Sequence, residues 1–478
     1  MSSAKYIFSG LLVATSISGW SQQQIEKERK NVLFIICDDL RPELGCYDNT
    51  QIISPNIDRW AAESVQFDRA YCNIAVSGAS RASLFTGLRP TKNTLSNWDA
   101  RTDGDAPDAI TLQQHFKSQG YSTIANGKIF HHQDEKSMQY WDDRMPPKPA
   151  TPMRYLSKEN LALMKIQKET GKGKRGYFYE YGDFPEEDYL DWQIAQKSIN
   201  DLKTLSQSDN PFFLAVGFIL PHLPFVVPQS YWDLYDHENI RIPDNYILKE
   251  GNNIPSQALA TWHELRAYSG IPENGPLDEE TARMMIHGYY ASVSFVDAQV
   301  GRVLNTLKEL GLDKNTTVVL IGDHGWNLGE HGTWCKHSIM HTSLHSTMII
   351  HSPETQKPYR SKEIVEFVDL YPTLCESAGI SIPTQIEGES LLPLLLSPEA
   401  KSKGYAVSRW DKGFTYIEDL YFYTEWWDKD DKLIDRMLFD HRKDAAENYN
   451  VAEEASYQPI VGIYSKKLKD RRGKNYFR

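Results

Sequence analysis

The sequence predicts an α/β protein in which a large mixed, mainly parallel sheet is flanked by helices and a smaller C-terminal α+β subdomain carries an antiparallel sheet. Three observations predict it. Apolar runs at 31–37, 211–218 and 317–322 are continuous rather than alternating, as in strands covered on both faces by helices. The stretch from Thr281 to Leu310 places Tyr289, Val293, Val296, Val300, Val303, Leu304 and Leu307 on one helical stripe, with Gly311 as its stop. Beyond a linker at 380–389 with Pro383 and Gly388, the text changes to short runs at 414–416, 420–426 and 436–440 that read as antiparallel strands. The chain of 478 residues therefore divides into a segment of 30–380 and one of 381–478, and its 40% hydrophobic and 24% charged residues are ordinary for a globular protein.

Composition also excludes functions. A formal net charge of -12 argues against a general nucleic-acid binder, which needs a basic face. Residues 1–21 carry Lys5, an apolar run from Tyr6 to Ile17, and small residues at Gly19 and Ser21, the pattern of a signal peptide cleaved near Gln22. Export to a periplasm or the medium is the expectation. No other apolar run reaches the roughly 18 to 20 residues that span a bilayer, so no membrane span is expected. The five cysteines leave room for one bridge, but Cys37 and Cys375 sit in apolar runs and read as core.

Taken in order, the first buried run ends in Asp38 and Asp39, where an α/β sheet binds its ligands. One N-cap plus one solvated acid would give the same letters. Residues 54–63 read as a capped helix and 65–71 as a second strand. That strand leads to Ser77-Gly78-Ala79-Ser80-Arg81, whose small residues let the backbone approach a ligand at a helix start. If the helix begins by Ser77, Arg81 lies one turn on, on the same face; an ordinary junction with Ser80 as N-cap is the alternative. A helix at 111–117 and a strand at 121–125 precede Lys128 and His131, and His132 reads as exposed surface. Residues 133–191, rich in Pro, Lys and Tyr, read as loops that shape substrate access or as an insertion without a ligand role.

A helix at 191–205 and the run at 211–218 deliver His222 between Pro221 and Pro224. The run at 317–322 ends in Asp323-His324-Gly325-Trp326, with Lys336 and His337 shortly after; 347–351 and 363–374 complete the domain. Two separate strand ends thus supply Asp38, Asp39, Asp323 and His324. Three carboxylates and an imidazole around one anion pocket would repel each other without a metal, and oxygen ligands suit hard Ca²⁺ or Mg²⁺.

Ser77-x-Ala79-Ser80-Arg81 followed by Leu84-Phe85-Thr86-Gly87 resembles the signature of the type I sulfatases of the alkaline phosphatase superfamily. Gly127-Lys128-x-x-His131, His222-x-Pro224-Phe225 and Asp323-His324-Gly325-Trp326-x-Leu328-Gly329-Glu330-His331-Gly332-x-Trp334-x-Lys336 resemble its iduronate-2-sulfatase branch, and the likeness runs from Asn31 to about Asn450. The resemblance implies an alkaline-phosphatase-like fold and a Ser77 oxidised by a maturase to formylglycine, whose hydrate is the nucleophile. It implies that Asp38, Asp39, Asp323, His324 and residue 77 hold the Ca²⁺ or Mg²⁺. Arg81, Lys128 and Lys336 would then grip the sulfate. His222 would protonate the leaving oxygen, His131 would help expel sulfate, and Trp326 and His337 would line the sugar site.

The implied activity is hydrolysis of sulfate esters of a sulfated carbohydrate, 2-O-sulfated uronic acid among them. The serine at position 77 requires the serine-type maturation route, and the insertion at 133–191 leaves the sugar open. A phosphatase, phosphodiesterase or phosphonate hydrolase would instead use unmodified Ser77 and commonly two metals. A sulfated-glycan-binding protein without turnover is the remaining reading.

Overall fold

The computed structural model describes residues 29–145, 154–171, 173–260, 263–355 and 357–472. The expected signal peptide at 1–21 and the Pro146-Pro147-Lys148-Pro149 stretch lie outside the described residues. The predicted buried runs become the centre of an eight-stranded sheet. Its strands are β1 (Asn31–Cys37), β2 (Val65–Tyr71), β3 (Ser122–Gly127), β4 (Asp143–Met145), β5 (Phe212–Phe218), β6 (Thr316–Gly322), β7 (Met348–His351) and β8 (Tyr359–Glu366), in the spatial order β8-β2-β7-β6-β1-β5-β3-β4. All neighbours pair in parallel except β7, which runs antiparallel to both β6 and β2 and makes the sheet mixed.

Every residue of β1, β5 and β6 is buried, as continuous apolar runs require. The strand period then splits them between two cores. Leu33, Ile35 and Cys37 face one, with Val293, Val296, Val300 and Leu307 of the long helix; Val32, Phe34 and Ile36 face the other, with Leu84 and Phe85. Five helices matter here: α1 (Ser77–Thr86), α2 (Lys158–Thr170), α3 (Leu190–Leu205), α4 (Glu279–Glu309) and α5 (Leu370–Ser377). The 31 residues of α4 start at Asp278, whose side chain accepts from Thr281 N at 2.7 Å.

The described residues of 133–191 are more ordered than their composition predicts. Ser157 caps α2, and short ribbons pair Arg175–Tyr177 with Tyr268–Ser269 and Tyr179–Gly182 with Phe225–Pro228. Turn-rich composition hid a helix of ordinary formers behind its serine cap. All five cysteines are free, so the permitted bridge does not form. No helix among the described residues is long and apolar enough to cross a membrane.

The C-terminal part is a four-stranded antiparallel sheet of β9 (Tyr405–Trp410), β10 (Gly413–Glu418), β11 (Tyr421–Trp427) and β12 (Leu433–Asp440), packed against α6 (Gln458–Arg472). Strand β9 and helix α6 go beyond the three predicted runs. A buried charge network ties this sheet to the larger one. Glu366, at the end of β8, accepts from Arg89 Nη2, Lys403 Nζ, Asn73 Nδ2 and the Val407 N–H. Against the upward push of burial, Arg89 and then Lys403 hold the Glu366 carboxyl far below the ordinary range.

At the same junction His341 stacks on His345, 4.6 Å between centroids, and meets His441 edge-on. Burial pulls His345 down to about 4, opposed by its hydrogen bond to Asp68 O at 2.9 Å. A folded-state pKa below the ordinary 6.5 gives stability that is complete above 6.5 and lost as pH falls towards 4. For this partly exposed ring we expect a loss of about 2 kcal/mol across that window. Denaturant midpoints at pH 7 and pH 4.5 check this, and His345→Gln should flatten the slope.

Candidate active site

The site lies at the carboxyl ends of β1, β5 and β6, where a mainly parallel sheet presents its loops. Asp38 and Asp39 leave β1, Asp323 and His324 leave β6, and both pairs are buried. Asp39 adopts φ 66°, a left-handed conformation uncommon outside glycine but one that aspartate tolerates better than most side chains. It is held from two sides: its N–H donates to Asp323 Oδ1 at 3.0 Å, and its carbonyl accepts from Tyr289 Oη at 2.8 Å. Ser77 is the first residue of α1, so the helix begins there and not after Ser80. The Ser77 Oγ lies 3.2 Å from Asp38 Oδ1 and 3.0 Å from His324 Nε2.

Arg81 is on the same face one turn later, as expected. Fully buried, it donates from Nε to Asp323 Oδ2 at 3.0 Å and from Nη2 to Asp38 Oδ1 at 3.2 Å. It also holds the Lys128 and Ile129 carbonyls through Nη1. Lys128 Nζ pairs with Asp38 Oδ2. Lys336 follows a small hairpin of Asn327–Leu328 and Trp334–Cys335 and donates to Asp39 Oδ1 at 3.1 Å.

The Lys128 position depends on a glycine. A Cβ on Gly217 of β5 would lie 2.1 Å from the Lys128 carbonyl, the one that Arg81 holds. Gly217→Ala must therefore displace both cations. We expect about 1–3 kcal/mol of lost stability and a roughly 10- to 100-fold fall in kcat/KM from misplaced groups, checked by denaturant melts and steady-state kinetics.

Sequence reasoning missed Glu264, in the short helix His263–Arg266. Its Oε1 lies 2.9 Å from His222 Nε2, and its Oε2 lies 2.9 Å from Lys336 Nζ. No buried run or repeat marks that segment, so only spatial proximity reveals it. Arg154 was also missed; its Nη2 donates to the carbonyls of His222 and Leu223 at 2.9 and 3.0 Å and fixes the His222 loop.

Trp326 corrects an expectation: it is fully buried, stacks on Tyr289, and lies under Lys336 Nζ at 5.0 Å, so it does not line an open sugar site. His337 is half-buried at the edge of the site against Trp410, 5.2 Å between centroids. His131 stands beside Lys128 with its Nδ1 unpartnered. His132 is half-buried rather than exposed, packed against His131 and Trp98.

The electrostatics separate the carboxylates. Burial raises Asp38, but Lys128, His222 and Arg81 outweigh it and hold the group well below the usual range. Burial, joined by the charges of Asp38, Glu264 and Asp323, drives Asp39 well above it, against Lys336. Burial pulls His324 down to about 4 and leaves it neutral. His324 Nδ1 faces Gly325 O at 2.8 Å, so the proton sits there and the Nε2 lone pair points at Asp39 Oδ1 and Asp323 Oδ1, 3.4 and 3.6 Å away. Acceptor atoms of Asp39, Asp323 and His324 all lie within 4.8 Å of one another. That donor set fits a hard divalent cation.

Asp39, His222 and Glu264 form a second cluster whose acceptor atoms lie within 4.8 Å of one another. There Lys336 Nζ already bridges Asp39 and Glu264.

The chain matches the family model described as sulfatase over residues 30–380, and a second, described as N-sulphoglucosamine sulphohydrolase, C-terminal, over residues 329–474. It is 34% identical over 392 residues to iduronate 2-sulfatase of Mus musculus, covering 74% of this chain and 69% of that protein. With a sulfatase of Formosa agariphila it shares 32% over 437 residues, 87% of this chain and 82% of that one. In fold it matches the phosphonate monoester hydrolase of Silicibacter pomeroyi with a TM-score of 0.74 at 20% identity, covering 94% and 96% of the two chains. The chain belongs to the sulfatase family and is a hydrolase of sulfuric esters.

Proposed function

We propose that the protein is an exported sulfatase that removes sulfate from a sulfated carbohydrate, using formylglycine made from Ser77 and one divalent cation, Ca²⁺ or Mg²⁺. The observation that carries this reading is the contact of Ser77 Oγ with Asp38 and His324, the latter clustered with Asp39 and Asp323, with Arg81, Lys128 and Lys336 paired to these carboxylates. Asp38, Asp39, Asp323 and His324 would hold the cation, which when bound polarises a sulfuryl oxygen and acidifies the hydroxyl at residue 77. Formylglycine supplies a hydrated aldehyde as nucleophile and a route to release sulfate.

The chain's own residues do the rest. Arg81, Lys128 and Lys336 hold the sulfuryl oxygens as charge develops. His222 donates a proton to the departing alkoxide. Both its ring nitrogens face acceptors, Leu223 O at 2.5 Å and Glu264 Oε1 at 2.9 Å, so the geometry fits the protonated ring. Burial, then Lys336, lowers its pKa and makes that proton easier to give up. Neutral His131, its Nδ1 without a hydrogen-bond partner, would take the hydroxyl proton.

The bridging Lys336 occupies the ground a second metal would need, which favours the one-cation sulfuryl chemistry over a two-metal phosphatase. The likeness to iduronate 2-sulfatase makes a uronic acid 2-sulfate the first substrate to test.

The test pairs mass spectrometry of the peptide holding residue 77, in protein coexpressed with a maturase, with assays on sulfated disaccharides and matched phosphate and phosphonate esters. The expected result is a residue lighter than serine by two hydrogens and turnover of a sulfate ester only. An unmodified serine with faster turnover of phosphate or phosphonate would overturn it.

A further inference from the structure

A cavity of about 370 Å³ lies between the loop that follows α1 and the turns of the C-terminal sheet, lined by Lys92, Arg409, Lys412, Phe414 and Trp427 among others. None of these belongs to the catalytic groups described above. Arg409 is only 4% exposed, yet its Nε and Nη1 have no hydrogen-bond partner. Its Nη2 donates to the Asp411 carbonyl, and the guanidinium lies 5.1 Å above the centre of the Phe414 ring. A buried guanidinium with two idle nitrogens is costly unless an anion completes it.

Asp411, Asp428 and Asp431 also line the cavity, but Arg409 Nε and Nη1 hydrogen-bond to none of them. Asp428 spends Oδ1 on the N–H groups of Asp430 and Lys432, and Asp411 meets Arg409 by hydrogen bond only through its backbone. Lys92 and Lys412, both exposed, add positive charge at the rim. Burial pulls Arg409 down to about 10, against the charge of Asp411.

Two residues next in sequence to the cavity wall reach the catalytic groups. Asn97 of its wall is followed by Trp98, which is 60% exposed and has its ring 6.4 Å from each of His131 and His132. The Trp98 carbonyl lies where a Cβ on Gly78 would come within 2.0 Å, so this loop rests on the residue beside Ser77. On the other side Arg409 is followed by Trp410, which packs on His337 next to Lys336. An exposed indole beside a catalytic imidazole, leading to a cavity with an idle guanidinium, matches a sugar that carries an acid group.

We propose that this cavity binds the acidic sugar joined to the one being desulfated, with Trp98 as the stacking surface between them. Its sulfate or carboxylate pairs with Arg409, and its hydroxyls donate to the rim carboxylates. The substrate is then an oligosaccharide with an anionic neighbour, not a single sulfated sugar. This rests on the glycan reading above.

The test compares the matured enzyme with Lys92→Ala/Lys412→Ala, a double change at exposed positions that spares folding, and with Arg409→Gln. Substrates are 4-nitrophenyl sulfate, which reaches only the catalytic pocket, and a heparin-derived tetrasaccharide. The expected result is a 10- to 100-fold loss of kcat/KM on the tetrasaccharide, carried by KM, with the aryl sulfate rate unchanged for the double variant. Equal effects on both substrates, or none on the tetrasaccharide, would overturn the proposal.

Calorimetric binding of the same tetrasaccharide to Ser77→Ala protein, with and without the lysine changes, separates the two ideas. Binding weakened by those changes, without any glycan turnover by the wild type, upholds the cavity and rejects the glycan sulfatase. Turnover and binding both indifferent to Lys92, Lys412 and Arg409 reject the cavity alone.

Discussion

Ser77→Ala should abolish sulfate-ester turnover, with kcat falling by on the order of 10⁴ or more, the scale of removing a nucleophile. Asp38 and His324 both approach the Ser77 Oγ, at 3.2 and 3.0 Å. Alanine suits the first turn of α1, and the rest of the network keeps its bonds: Arg81 still joins Asp38 to Asp323, and Asp39 N still donates to Asp323. The melting temperature should therefore stay within about 2 °C, roughly the shift from a 1–2 kcal/mol change in a chain of this size. Full activity in a folded Ser77→Ala protein would remove residue 77 from the mechanism.

Asp323→Ala should have the second largest effect, and on three readouts. Bound metal, measured by elemental analysis, should drop from about one ion per chain to near zero, because Asp323 Oδ1 belongs to the converging donor set. Turnover should fall by roughly 10³ or more with the cation and the Arg81 orientation lost. Stability should fall by about 3–5 kcal/mol, since the change strands the buried Arg81 Nε and the Asp39 N–H. Asp323→Asn can still accept from Asp39 N and should recover part of the stability without the activity. A metal content equal to wild type in the alanine variant would break the proposed ligand set.

The sequence made the chemistry at the strand ends legible because a strand buried on both faces has no choice of residues until it exits the sheet. Asp38, Asp39, Asp323 and His324 are the first polar residues after such runs, and the structure brings them together. Glu264 follows no such run; the folding of the segment between β5 and α4 alone carries it to His222. Trp326 was misread because an aromatic beside a motif looks like a sugar platform. Its neighbours Gly325 and Asn327 are pinned by Ser343 and Thr342, which turn the indole into the core under Lys336. The antiparallel β7 was equally hidden, because a run of four residues, three of them buried, reads the same in either direction.

Ser77 is 2% exposed, and Arg81 behind it is 1% exposed. Closed over by the ends of β1 and β6, residue 77 offers no second enzyme a grip once the chain has collapsed. On the proposed mechanism, its oxidation belongs to the interval between synthesis and folding. Protein that folds without the maturase is then permanently inert, and adding maturase to it would restore nothing until the chain is unfolded again.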